Sequence, residues 1–247
     1  MGSAEERKLE RLEDLRRRMA AIPARGAGAV ARPPAARPVR PESLPVPSAL
    51  VDLLPDGGVP RGSVVAYTGA SSLLAGLLAA VTGSGGHAAA IGLPRLGLLA
   101  TAEMGAHLSR LYVVPDPGPD PVEIASVLLD GLDLVVLNLG GRSVPAARTR
   151  VLAARARSKA ATLVVTGGAW IGPTLRIATE IDGYDGIGRG TGRLRTVRLN
   201  VCVRGRATPP RTGRLALTPH DGRVEWHAPE PDSTFAPPPE VAHHAVS

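Results

Sequence analysis

The sequence predicts an α/β protein built on a doubly wound, mostly parallel sheet. Antiparallel strands extend the sheet at its C-terminal end, and an amphipathic helix precedes it. Three observations carry that expectation. Short runs of Val, Leu, Ile and Ala alternate with helical patterns from about Leu50 to Lys159, the mark of repeated βαβ units. Runs such as "LDLVVLNL" (132–139) and "ATLVVTG" (161–167) are continuously apolar, as parallel strands covered on both faces require. After Gly192 the segments "RLRTVRLNVCVRGR", "GRLALT" and "GRVEWHA" alternate instead and are joined by turn-like stretches, so antiparallel pairing along one sheet edge is expected.

The first element is residues 4–22, "AEERKLERLEDLRRRMAAI". Leu9, Leu12, Leu15, Met19 and Ile22 recur at spacings of three and four, and Glu13–Arg17 and Asp14–Arg18 are i,i+4 pairs, which predicts an amphipathic helix. Its acids lead and its arginines trail, in accord with the helix dipole. It packs either on its own domain or on another protein. In the second case Leu9, Leu12, Leu15, Arg16 and Met19 are the partner-binding candidates. Residues 23–47 are rich in Pro, Ala and Arg and read as a linker. The core is expected over residues 48–228, with strands at 63–68, 87–92, 111–114, 133–138 and 161–166. Helices are expected at 72–82, 98–109, 120–130 and 144–158. Residues 229–247 lack periodicity and read as a disordered tail.

Composition bounds the function. The chain of 247 residues suffices for one sizeable core. Aromatics are only 2% against 44% apolar residues, so the core is aliphatic. The net charge is +7 and the only lysines are Lys8 and Lys159. Arginine in place of lysine reflects either a GC-rich genome or a surface that meets phosphates or carboxylates through bidentate forks. The single cysteine, Cys202, excludes an internal disulfide and any multi-cysteine metal site, and reads as a small buried hydrophobe. No apolar run reaches about 18 residues without polar interruption, and residues 5–18 are heavily charged. No membrane association and a cytoplasmic location are expected.

The stretch "GSVVAYTGASSLLAGLL" (62–78) has the outline of a phosphate-binding element: strand, Gly, then helix. A working P-loop reads G-x-x-x-x-G-K-[ST], with backbone N–H groups around the phosphates, a Lys on the β/γ oxygens and a hydroxyl on Mg²⁺. Counted from Gly69, those positions hold Leu74, Ala75 and Gly76. No lysine occurs between Lys8 and Lys159, so no shift of register supplies one. Ser71 and Ser72 remain as candidate helix caps. The metal-orienting carboxylate expected at the end of "LDLVVLNL" is replaced by Asn138, a poorer partner for a hard dication. No acid stands near the end of the second strand in "AIGLPRLG". The three losses agree: the site is expected to be non-catalytic and without a cofactor. An ATPase with unorthodox residues needs a cation, and the nearest, Arg61, precedes the strand.

"LPDGGVPRGSVVAYTG" (54–69) resembles the approach to the P-loop in RecA-type recombinase cores. "DPVEIASVLLDGLDLVVLNL" (120–139) resembles their helix and Walker B strand, and "GRLRTVRLNVCVRG" (192–205) their later strands. The match in order and spacing covers about residues 44–218. The charged N-terminal helix, the lost P-loop and the Pro-rich tail are most similar to the actinobacterial ImuA-prime type, RecA-like accessory proteins of the inducible mutasome. The resemblance implies translesion synthesis after DNA damage and association with the nucleoid. Its implied partners are a Y-family polymerase-like protein of the ImuB type and, through it, an error-prone C-family DNA polymerase, with RecA as a further candidate. The chain has no glutamine, so a glutamine-anchored sliding-clamp peptide is absent.

Basic segments raise a second function. Residues 142–159 hold six basic residues and no acid. On a helix, Val144, Val151, Leu152 and Ala156 would face the sheet while Arg148, Arg155 and Lys159 line an outer stripe. Residues 189–214 hold eight arginines and no acid. The stretch "DGIGRGTGR" (185–193) reads as a Gly-rich loop, and by the RecA resemblance Arg189 and Arg193 are candidates for contact with single-stranded DNA. No aromatic residue in that loop is available to stack on bases, so an arginine surface that docks an acidic protein is an equal alternative. His87 and His107 read as structural. The pair His243-His244 has no third ligand in the pattern.

Overall fold

The computed structural model of the chain describes residues 42–187, 192–206 and 208–229. The predicted N-terminal helix and the tail beyond residue 229 lie outside the described residues. The linker predicted to end at residue 47 ends earlier. Ser43–Leu44 (β1) pairs antiparallel with Val59–Pro60 (β2), and Leu44 is buried in the core.

One nine-stranded sheet organises the rest. In chain order it contains Val64–Thr68 (β3), Ala88–Ile91 (β4), Leu111–Val114 (β5), Leu134–Asn138 (β6), Thr162–Thr166 (β7), Leu175–Ile187 (β8), Gly192–Gly205 (β9), Arg211–His220 (β10) and Arg223–His227 (β11). In space the order is β11-β10-β9-β8-β3-β7-β6-β4-β5. The six strands from β8 to β5 are parallel, and β9, β10 and β11 add on antiparallel. The predicted fold class is the one observed.

Four α-helices connect the parallel strands: Ser71–Gly83 (α1), Leu98–Glu103 (α2), Pro121–Leu128 (α3) and Ala146–Lys159 (α4). Helix α1 is apolar almost all round, with Leu73, Leu74, Leu77, Leu78 and Val81 buried, because the sheet takes one side and other elements the rest. Each such side chain contributes about 1.5–3 kcal/mol of burial. It shares one core with Val65, Tyr67, Val136, Val164, Ile177, Leu199 and Val201. The opposite face of the parallel strands packs on α3 and α4 through Val64, Val135, Leu137, Leu163, Val122, Ala125, Leu152 and Ala156. The continuous apolar runs thus come from burial on both faces.

Three expectations need correction. The helix predicted over 98–109 stops at Glu103, where Gly105 turns left-handed (φ 95°), and resumes as a short 3₁₀ turn at Leu108–Arg110. His107 therefore precedes that turn. Strand β8 was not expected. "LRIATEI" alternates, with Leu175, Ile177 and Thr179 buried and Arg176, Ala178 and Glu180 exposed, but the Gly- and Asp-containing sequence after it reads as loop. The Gly-rich stretch 185–193 is consequently the end of a long β8–β9 hairpin, with strand to Ile187 and again from Gly192. Cys202 is half-buried, not a core residue. Val201 and Val203 on either side face the core, so the alternation turns Cys202 to the other face.

Candidate functional site

In open α/β sheets ligands bind outside the carboxyl ends of the parallel strands. Here two turns lie at that edge, one after β3 and one after β6, with β7 between the two strands.

The β3 turn is very short. Thr68 ends the strand and Ser71 begins α1, leaving Gly69 and Ala70 between them. The helix thus begins before the point at which a P-loop would still be wrapping a phosphate. Leu74 and Ala75, in the Gly and Lys positions, are buried at 3% and 4% exposure. Gly76 packs under Trp226 of β11, where an added Cβ would lie 2.8 Å from the indole Nε1. The expected capping does not occur. The N-cap is Ala70, with no side-chain cap bond, and Ser71 and Ser72 fall inside the first turn, past the position from which a side-chain oxygen caps.

The place in front of the turn is occupied by β8. Gly69 adopts φ 110°, and a Cβ there would lie 1.8 Å from the Thr179 carbonyl oxygen. The Ala70 N–H donates to Thr179 Oγ1 at 2.8 Å. The Tyr67 hydroxyl donates to the Ala70 carbonyl and lies 2.8 Å from Thr179 Oγ1. With the Tyr67 proton engaged on Ala70, the Thr179 hydroxyl donates to Tyr67, and the three groups close a hydrogen-bonded ring. Tyr67 is 1% exposed, and burial pushes its pKa up to about 12.

The β6 turn keeps a polar residue but fixes it. Asn138 Nδ2 donates to the Gly92 carbonyl at 2.9 Å, and its Oδ1 accepts from the Gly140 N–H at 3.0 Å. Both ends of the amide are engaged, which ties the end of β4 to the end of β6. Gly167, left-handed at φ 63°, brings the turn after β7 against the same side chain. Arg61, the nearest candidate cation, is held at the other end of the sheet. Its Nη1 donates to Asp133 Oδ1 at 2.8 Å while Asp133 Oδ2 accepts from the His87 N–H at 2.9 Å.

On α4 the outer stripe is not free. Arg148 reaches Asp120 at 2.7 Å. Arg155 forks onto Asp130 at 2.9 and 2.5 Å, and Lys159 approaches the same carboxylate at 3.6 Å. The basic segment has no acid of its own, but α3 and its flanks supply them. The Arg148 and Arg155 guanidinium groups hold the Asp120 and Asp130 carboxyls below the usual carboxylate range. Val151, predicted to face the sheet, is 62% exposed. Thr149 takes that face with Leu152 and Ala156, as i, i+3, i+7 spacing requires. Arg193 is exposed at the start of β9. Arg189, and Leu9, Leu12, Leu15, Arg16 and Met19, lie outside the described residues.

An open cleft of about 690 Å³ borders Gly69 over β8–β10, lined among others by Thr68, Glu180, Asn200, Cys202 and Arg214. The sequence reading missed it together with β8. The alternation of Leu175, Ile177 and Thr179 was the available signal.

These features define a RecA-like fold. The chain is similar to a solved structure of the RadB recombinase, with a TM-score of 0.51 at 15% identity over 72% of this chain and 96% of that one. The family model of the MT3502 N-terminal domain matches residues 52–172. A relative in Mycobacterium tuberculosis, the uncharacterized protein Rv3395c, is 48% identical over 206 residues, 80% of this chain and 93% of the relative. The chain therefore belongs to the same protein family as Rv3395c. No helix among the described residues is long and apolar enough to cross a membrane.

Proposed function

We propose that the chain is a non-catalytic RecA-like adaptor of the ImuA-prime type, acting in damage-induced translesion synthesis. In this reading it binds a Y-family polymerase-like protein of the ImuB type and, through it, supports an error-prone C-family polymerase. The N-terminal segment 4–22, whose sequence pattern predicts a helix with Leu9, Leu12, Leu15 and Met19 on one side, is the recruiting element in this reading. The observation that carries the non-catalytic half is the β3 turn: Thr179 and Tyr67 fill the position in front of α1, and the helix starts too early for a phosphate cradle. The adaptor half is supported by the sequence resemblance.

Titration calorimetry with Mg²⁺–ATP on the full chain is expected to give no binding heat. Micromolar affinity with turnover would sink the reading. Restoring the consensus residues by Leu74→Gly, Ala75→Lys and Gly76→Ser is expected to gain no ATP binding, because those positions point into the core. Removal of residues 1–22 should lower affinity for the Y-family polymerase-like protein without changing the melting of the core. Unchanged affinity would defeat the recruiting role of the helix.

A second reading, a module for single-stranded DNA, is favoured by one observation. Exposed Arg193 and Arg195 share the β8–β9 hairpin with Tyr184, which is 51% exposed. Steeply salt-dependent binding to an oligonucleotide, lost in a Tyr184→Ala/Arg193→Ala variant, would support it.

A further inference from the structure

Helix α4 carries arginines on two flanks, and only one flank is neutralised. Arg148 and Arg155 meet Asp120 and Asp130. Arg150 and Arg157 leave the helix on another side, both are exposed, and among the described residues neither has an acid within ion-pair distance. They line a groove of about 380 Å³ between α4 and the segment that runs from β7 back to β8. Across the groove Arg206 is fixed by the carbonyls of Gly172 at 2.5 Å and Pro173 at 3.2 Å. Neutral carbonyls leave its charge intact, so three guanidinium groups border one groove with no acid in its lining.

The lining is otherwise small or apolar. Ala146, Arg150, Ala153 and Arg157 follow at i, i+4, i+7 and i+11 along one side of α4. The alanines between the arginines let a second backbone approach to the 8–10 Å separation of packed helices. Ile171 stands 60% exposed at the far lip. Arg150 and Arg157 are about 10.5 Å apart along the helix axis. A helix laid beside α4 has the same rise, so two carboxylates seven residues apart on it meet both arginines. The lining contains no aromatic side chain for stacking on a nucleic-acid base.

We propose that this groove docks an acidic amphipathic helix of a partner protein. Arg150 and Arg157 fork onto carboxylates two turns apart, Arg206 takes a third acid, and Ile171 meets the apolar side of the incoming helix. The inference does not depend on the translesion reading.

The test is fluorescence anisotropy of the full chain at roughly 0.1 M salt, with three labelled probes. The first is a stapled helical peptide bearing Glu at positions seven apart with Ala and Leu between. The second is its Lys counterpart, and the third a thymidine oligonucleotide. The intact chain is expected to prefer the Glu peptide. Arg150→Glu/Arg157→Glu should weaken that binding at least about 30-fold, the loss of two charge-assisted contacts, and transfer the preference to the Lys peptide. A variant that merely failed to fold would not gain that preference. Arg150→Gln/Arg157→Gln, with unchanged melting, should lose the Glu peptide and gain nothing. Arg148→Gln, on the paired flank, should change Glu-peptide binding less than about threefold. Absent or unchanged Glu-peptide binding overturns the proposal. So does oligonucleotide binding that falls with the same arginines while the Glu peptide does not bind, which would make the groove a reader of phosphates.

Discussion

The turns after β3 and β6 lie at the carboxyl edge of the sheet with β7 between their strands, and each lacks a group that a nucleotide site requires, for different reasons. After β3 the missing lysine is the smaller part of the change. The connection is two residues long, its glycine presses against the backbone of β8, and Thr179 and Tyr67 close a hydrogen-bonded ring where an anion would sit. After β6 the backbone has left-handed glycines at 140 and 141, left-handed Gly167 of the turn after β7 packs against it, and one side chain, Asn138, ties the turn together. The first turn is closed by main chain from another strand and the second by a single amide. The first should therefore resist repair, and the second should yield to compensating substitutions.

Gly69→Ala is the largest expected effect. Its Cβ would meet a carbonyl oxygen at 1.8 Å, on a backbone at φ 110°. Strain and overpacking together come to about 4 kcal/mol or more, comparable with the whole stability of a small domain. Shortening Thr179 to Ala should not rescue it, because the clash is with main chain. Thermal melting checks both. Gly167→Ala should cost less, about 2–3 kcal/mol, since its Cβ would lie 2.0 Å from Asn138 Oδ1, a side-chain atom. In an Asn138→Ala background the cost should fall to the roughly 1–2 kcal/mol of a left-handed alanine. A double-mutant cycle without such coupling would show that the two turns do not differ in the way described.

Asn138→Asp follows. It places in the second turn the residue type that a metal-binding strand would carry, and it should restore no function. The carboxylate cannot donate to the Gly92 carbonyl and lies against it, a loss of about 1–3 kcal/mol at neutral pH. A protonated Asp can donate again while still accepting from Gly140. The folded-state pKa of the new Asp would therefore lie above its unfolded value. Its stabilising contribution would be complete below the unfolded pKa and lost as pH rises through the folded one. Denaturant melts should accordingly bring the variant closer to the parent at about pH 3.5 than at pH 7.

The contrast between the turns was half legible in the sequence. Leu74, Ala75, Gly76 and Asn138 declared what was missing, because motif residues sit at fixed spacings. What replaced it was not legible. Thr179 reaches Ala70 across 109 residues of chain, on a strand whose Gly183 and Gly186 disguise it. The parallel strands were readable because burial on both faces makes their composition nearly uniform. The same gap separates segment charge from local charge on α4. Residues 142–159 contain no acid, yet Asp120 and Asp130 arrive from the two flanks of α3 to neutralise Arg148 and Arg155. On α4, Arg150 and Arg157, which face another neighbour, keep the character that the segment suggested.

The smallest effect separates the first turn from the second by pH alone. Tyr67 is the titratable member of the ring, and burial raises its pKa from 10.0 to about 12. The unfolded chain therefore loses this proton first as pH rises. The stabilisation is complete below pH 10 and is lost progressively toward pH 12. At about pH 11 the loss attributable to Tyr67 is roughly 1.4 kcal/mol. Tyr67→Phe removes the titration and forfeits about 1–2 kcal/mol at neutral pH, since Thr179 Oγ1 and the Ala70 carbonyl each lose a partner while Ala70 N–H keeps its own. Denaturant melts of the two proteins between pH 9 and pH 11 should therefore converge, the parent falling toward the variant. Parallel curves would mean that the ring around Thr179 opens to water, and with it the β3 turn that the non-catalytic reading requires to be closed.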